Sequence, residues 1–125
     1  MADKVVILLL NVDMEVPDNL GAPFFQAAVA AAMDLEVEIH FAARTTRLLV
    51  KGFADRLYPA ENREKSIYSF MQDAHEAGVK FYACAGAAAT HQLTEDNSIP
   101  ELDGIRGVAA FLGAAIEEDV VTLTY

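Results

Sequence analysis

Val5-Val6-Ile7-Leu8-Leu9-Leu10 is a continuous apolar run without alternation. A strand wetted on one face alternates polar and apolar residues. A strand with no polar face must be covered on both sides, as in a parallel sheet layered between helices. Asn11-Val12-Asp13 follows and leads into a loop over 14–19. Pro23 suits a first helical turn, where its missing N–H is no loss. Residues 24–34 then read as an alanine-rich helix, apolar nearly all round and hence deeply buried. Val37, Ile39 and Phe41 alternate with Glu36, Glu38 and His40, which predicts a second strand with one plainly apolar face. Its polar face fits poorly in a fully covered sheet and is expected to lie under a loop or a partner subunit.

Further along, Thr45 or Thr46 is placed to cap a short helix running towards Gly52, with Arg44, Arg47 and Lys51 on one face at helical spacing. Residues 57–62, holding Pro59, form a loop. Ile67, Phe70, Met71 and Ala74 make an i, i+3, i+4, i+7 stripe, and Gly78 suits the left-handed cap that ends this helix. Residues 79–83 read as a third strand running into Cys84-Ala85-Gly86-Ala87, which opens a short helix reaching about Gln92. A polar linker over 94–103 contains Pro100, with Asp103 as the cap of a last helix marked by Ile105, Val108, Ala109, Leu112, Ala115 and Ile116. Residues 120–124 close as a strand. The order β-α-β-α-α-β-α-α-β requires crossover connections and predicts an α/β fold, a mostly parallel sheet with helices on both faces. No linker or repeat divides the chain, so 1–125 reads as one domain.

Composition bounds the function. The 125 residues suit one domain that needs neither disulfide nor metal to stay folded. Nine Lys and Arg against nineteen Asp and Glu give a formal charge of −10, which makes nucleic acid and membrane surfaces poor partners. The 54% hydrophobic content is rich in alanine, favouring tight helix packing and a subunit interface. One cysteine excludes an internal disulfide and fits a reducing compartment. The apolar runs at 5–10 and 27–33 are too short to span a bilayer, and the opening residues lack a signal pattern, so a cytoplasmic location is expected.

In open parallel sheets, ligands bind beyond the carboxyl ends of the strands. That edge is expected to gather Asn11 and Asp13 after the first strand, His40, Arg44 and Thr45 after the second, and Cys84 after the third. A thiol where a strand enters a helix N-terminus is placed to ionise, and the thiolate is the nucleophile. Ala85, Gly86 and Ala87 leave room beside the sulfur. A buried cysteine acting as a small hydrophobe is the competing reading, and the residues themselves leave both open. His91, seven positions on, would sit roughly 10 Å along a helix axis from Cys84, too far for direct proton transfer. His75 reads as structural. The three histidines show no metal-ligand spacing. Arg44, Arg47 and Lys51 offer a cationic face for an anionic substrate or an acidic partner. No G-x-G-x-x-G, G-x-x-x-x-G-K-[ST] or G-x-S-x-G occurs, so dinucleotide, NTP and serine-hydrolase sites lack their signatures.

The chain resembles the DsrE/DsrF-like family of small sulfur-relay proteins, related to the TusD-type subunits. The resemblance rests on the opening strand at 4–11, the alanine-rich helix at 21–33 and Arg47-Leu48-Leu49-Val50-Lys51-Gly52. It continues through Gly78-Val79-Lys80-Phe81-Tyr82-Ala83-Cys84 and Leu102-Asp103-Gly104-Ile105-Arg106-Gly107-Val108. It implies a five-stranded α/β/α sandwich assembling as homo-trimers or homo-hexamers, no tightly bound cofactor, and Cys84 at the position of the sulfur-carrying cysteine. It further implies a persulfide carrier or sulfurtransferase, exchanging sulfane sulfur with donor and acceptor proteins; the residue reading itself puts Asn11, Asp13, His40, Arg44, Thr45, Lys51, Ala85 and Gly86 forward as candidates around the substrate. Two other readings compete: a non-catalytic oligomeric binding or assembly protein with a packed Cys84, and a flavodoxin-like binder of a small ligand.

Overall fold

The computed structural model describes residues 2–125. Strands β1 (Lys4–Leu9), β2 (Glu36–Phe41), β3 (Lys80–Cys84), β4 (Leu102–Arg106) and β5 (Val120–Thr124) form one sheet. Its order is β4-β3-β2-β1-β5, and every neighbouring pair is parallel. Helices α1 (Gly21–Ala32), α2 (Ile67–Glu76), α3 (Ala85–Thr90) and α4 (Val108–Ala115) complete the α/β fold. Among the described residues, no helix is long and apolar enough to cross a membrane.

The central position of β1, between β2 and β5, explains its unbroken apolar run. Val5, Ile7 and Leu9 face the main core, while Val6 is fully buried on the opposite side. The main core lies between the sheet and the layer of α1 and α2, where Phe24, Ala27, Ile67, Met71 and Ala74 meet Ile39, Phe41 and Phe81. Phe24 stacks on Phe41 with ring centroids 6.0 Å apart, and Phe41 meets Phe81 edge-on at 5.4 Å. The alternating second strand is resolved by the same geometry: its polar face turns away from the main core, and Phe111 of α4 lies over His40.

Several boundaries differ from the sequence reading. Helix α1 begins two residues before Pro23 and stops at Ala32, and Asp34 then takes a left-handed φ of 66°. Thr45 and Thr46 cap nothing. Their buried hydroxyls donate to the carbonyls of Ala42 and Ala43, at 2.6 and 3.0 Å, within a 3₁₀ segment, Ala43–Leu49. Gly78 does end α2, with φ 111° and its N–H bonded to the His75 carbonyl.

The largest correction is β4. Asp103 does not cap a helix, and Ile105 does not belong to one. Both lie in a strand beside β3, with Ile105 opposite Ala83 and Arg106 opposite Cys84. The register shifts at Phe81/Tyr82. The Asp103 carboxylate accepts the Phe81 N–H at 2.9 Å and contacts His75 Nε2 at 3.1 Å. Helix α4 begins only after Gly107.

Candidate functional site

Neighbouring strands β3 and β4 send the chain to opposite faces of the sheet. After β3, Ala88 and Leu93 join the main core; after β4, α4 crosses to the other side. Such a divergence leaves a crevice at the carboxyl ends of the two strands, the usual ligand position in open parallel sheets. Cys84 is the last residue of β3 and Arg106 the last of β4, and the two are register partners.

A pocket of about 240 Å³ opens here, walled by Leu8, Val108, Phe111 and Leu112, with Cys84, His40 and Arg106 as its polar residues. Cys84 is half-buried and occupies the N-cap position of α3. Ala85 and Gly86 are exposed, and a Cβ added to Gly86 would meet nothing within 4 Å. The Arg106 guanidinium lies 3.7 Å from the centroid of the Tyr82 ring, and among the described residues no carboxylate pairs with it. In a chain with twice as many acids as bases, such a cation is notable.

His40 is only 5% exposed, tilted against Tyr82 and edge-on to Phe111. Its Nε2 lies 3.0 Å from Glu38 Oε1, and Glu38 Oε2 lies 2.6 Å from Lys4 Nζ. Burial pushes His40 below its usual pKa, outweighing the Glu38 carboxylate, which pulls upward. Burial alone would raise Glu38, but Lys4 and His40 together hold it below the ordinary carboxylate range. Lys4 is raised, chiefly by its hydrogen bond to Glu38.

The other candidates lie elsewhere. Asn11, Asp13 and Arg44 line a separate hollow of about 520 Å³ beyond β1 and β2, where Asp13 Oδ1 accepts the Glu15 N–H. Thr45 is fully buried, its hydroxyl donating to the Leu9 and Ala42 carbonyls, and it lines neither space. Lys51 reaches the Asp96 carbonyl, and Arg47 donates from Nε to His91 Nδ1 at 3.3 Å. The expected cationic face is therefore dispersed. A 3₁₀ segment has about three residues per turn and this one ends at Leu49, so Lys51 leaves the row. Among the described residues, no group of three His, Cys, Asp or Glu is arranged to hold a metal ion.

Sequence reasoning missed Arg106 and Phe111. Arg106 was hidden by assigning Ile105 to a helix. The signal lay in Gly107, which separates Leu102-Asp103-Gly104-Ile105-Arg106 from the helical stripe.

The model of the DsrE/DsrF-like family matches residues 4–123, which take in β1 to β4, all but the last residue of β5 and every residue of the pocket. Two solved structures share the fold. One is a protein of unknown function, MTH1491, from Methanobacterium thermoautotrophicum, with TM-score 0.69, 13% identity and 98% of each chain covered. The other is the ychN protein from E. coli, with TM-score 0.68 and 15% identity over 98% of this chain and 99% of that one. No curated protein matches the sequence. The chain thus joins a five-stranded parallel sandwich to a family match along nearly its whole length, and it belongs to the DsrE/DsrF-like family.

Proposed function

We propose that the protein is a persulfide carrier in which Cys84 accepts a sulfane sulfur from a donor protein and passes it to an acceptor thiol. The observation that carries this reading is the pairing of Cys84 with an uncompensated Arg106 at the mouth of a mostly apolar pocket. Cys84 thiolate attacks the outer sulfur of a donor persulfide, R–S–SH. The donor S–S bond breaks, a new bond forms from Cys84 Sγ to the transferred sulfur, and R–S⁻ leaves. The sulfane sulfur changes partners with no external oxidant, and the reverse exchange with an acceptor thiolate regenerates Cys84. The Arg106 cation favours both the leaving thiolate and the Cys84 perthiolate. Open space beside Gly86 suits the approach of a cysteine-bearing segment of a donor or acceptor protein.

Incubation with a persulfide donor, followed by intact mass measurement, is expected to add one sulfur, about 32 Da, to the wild type. Cys84→Ser should gain nothing, and Arg106→Gln should load about ten-fold more slowly, the loss of roughly 1.4 kcal/mol of transition-state stabilisation. Absence of the gain in the wild type, or its persistence in Cys84→Ser, overturns the proposal. A non-catalytic assembly role is the second reading, favoured by the exposed apolar residues of α1 and α4. It predicts that Cys84 reacts with a thiol reagent only as slowly as a buried thiol.

A further inference from the structure

The Lys4–Glu38–His40 string faces the same side of the sheet as Cys84, and His40 shares the pocket with it. Glu38 and His40 are alternate residues of one strand, so they project together. His40 stands opposite Tyr82, and Cys84 is two residues further along that neighbouring strand. Strand spacing and rise place the His40 and Cys84 Cα atoms about 8 Å apart on one face, a separation that one water or the reacting sulfur chain spans.

The hydrogen-bonding state of His40 gives this juxtaposition a direction. Its Nε2 is committed to Glu38, so in the neutral ring Nε2 carries the proton and Nδ1 keeps its lone pair. Among the described residues Nδ1 has no hydrogen-bond partner, and no fully enclosed side-chain nitrogen or oxygen lacks one. Nδ1 therefore opens onto accessible space, and the space that His40 lines is the Cys84 pocket.

We propose that His40 takes the proton from the Cys84 thiol as sulfur arrives and returns it to the departing thiolate, with Glu38 as its positioning residue. The inference rests on Cys84 being the sulfur acceptor. In the first half-step the S–H proton moves to His40 Nδ1 and the thiolate attacks R–S–SH. In the second, R–S⁻ leaves with the electron pair of the broken S–S bond and takes the proton from the imidazolium. The sum is R–S–SH plus Cys84–SH giving R–SH plus Cys84–S–SH, with atoms, protons and electrons balanced. Burial keeps His40 neutral at neutral pH, ready to accept. The charged and titratable groups facing it are Glu38 on its own strand, Lys4 on β1, Tyr82 and Cys84 on β3 and Arg106 on β4; α4 presents Phe111 and no charge.

The test follows the rate of sulfur loading from glutathione persulfide by mass across pH, beside the rate of Cys84 alkylation by iodoacetamide. In the wild type both rates should fall on the acid side, with an inflection below 6.5, the usual histidine value. His40→Asn should still reach one sulfur per chain, on the order of 100-fold more slowly and without that inflection. Glu38→Gln should keep the inflection but move it to lower pH, because the carboxylate that raises His40 is gone. A His40→Asn protein with wild-type rates and profile overturns the proposal. Should that variant not fold, a Glu38→Gln profile superimposable on the wild type does the same. If the wild type takes up no sulfur yet its alkylation keeps a His40-dependent inflection, sulfur transfer falls and proton exchange between His40 and Cys84 stands. If neither is seen, both fall.

Discussion

Lys4, Glu38 and His40 form a diagonal chain of contacts across β1 and β2, and their protonation is linked to folding. The folded pKa of His40 lies below its ordinary 6.5, so the unfolded chain binds that proton more readily. The stability involved is present above pH 6.5 and is lost as pH falls through the folded value. Glu38, depressed below its ordinary 4.5, adds a second loss on further acidification. Lys4 works in the opposite sense: its raised pKa supplies stability that disappears above pH 10.5. Denaturant midpoints measured between pH 7 and pH 5 should fall for the wild type and fall less for His40→Gln. An equal slope in both proteins would detach His40 from acid unfolding.

At the scale of elements, helix α2 is held at its start by Ser66, whose hydroxyl accepts the Ser69 N–H at 3.1 Å. Ser66→Ala should cost about 1 kcal/mol, the usual worth of such a cap, and Phe24→Ala in the aromatic cluster about 3–5 kcal/mol. Denaturant titration at neutral pH measures both, and equal losses would contradict the packing described. The elements legible in the sequence were those whose burial is one-sided or complete. β1 had its unbroken run, α2 its stripe, and β2 its alternation. β4 was not legible because it is a short edge strand with a register shift, and its few apolar residues, Leu102 and Ile105, match a helical spacing as well as a strand. That misreading cost the site Arg106. His40, next to last in β2, and Cys84, the last residue of β3, were legible because the sequence marks both strands plainly. Thr45 was misplaced because the spacing cannot tell a hydroxyl facing a ligand from one bonded to its own backbone.

Among the described residues, the whole fold leaves two helical apolar stripes uncovered. Phe25, Val29 and Met33 recur every four residues along and just past α1, and Val108, Leu112 and Ile116 do the same on α4. They lie on opposite layers of the sandwich, so no single contact covers both. We propose that copies of this chain associate through them, as the trimer or hexamer that the family resemblance implies. A net charge of −10 opposes that association, and added salt should relieve it. Sedimentation is expected to give a mass several times that of one chain, increasing from low to moderate salt, with Leu112→Glu yielding smaller species. A monomer at micromolar concentration across that range would exclude it.

The link from β4 to β5 runs from one edge of the sheet to the other and carries α4 across the back. Translation proceeds from the amino end, so His40 and Cys84 emerge from the ribosome ahead of Arg106, Val108, Phe111 and Leu112. A newborn chain therefore holds its thiol bare. The cation and the walls that line its pocket arrive together and later, so the thiol is laid down before the surroundings that would select what reaches it.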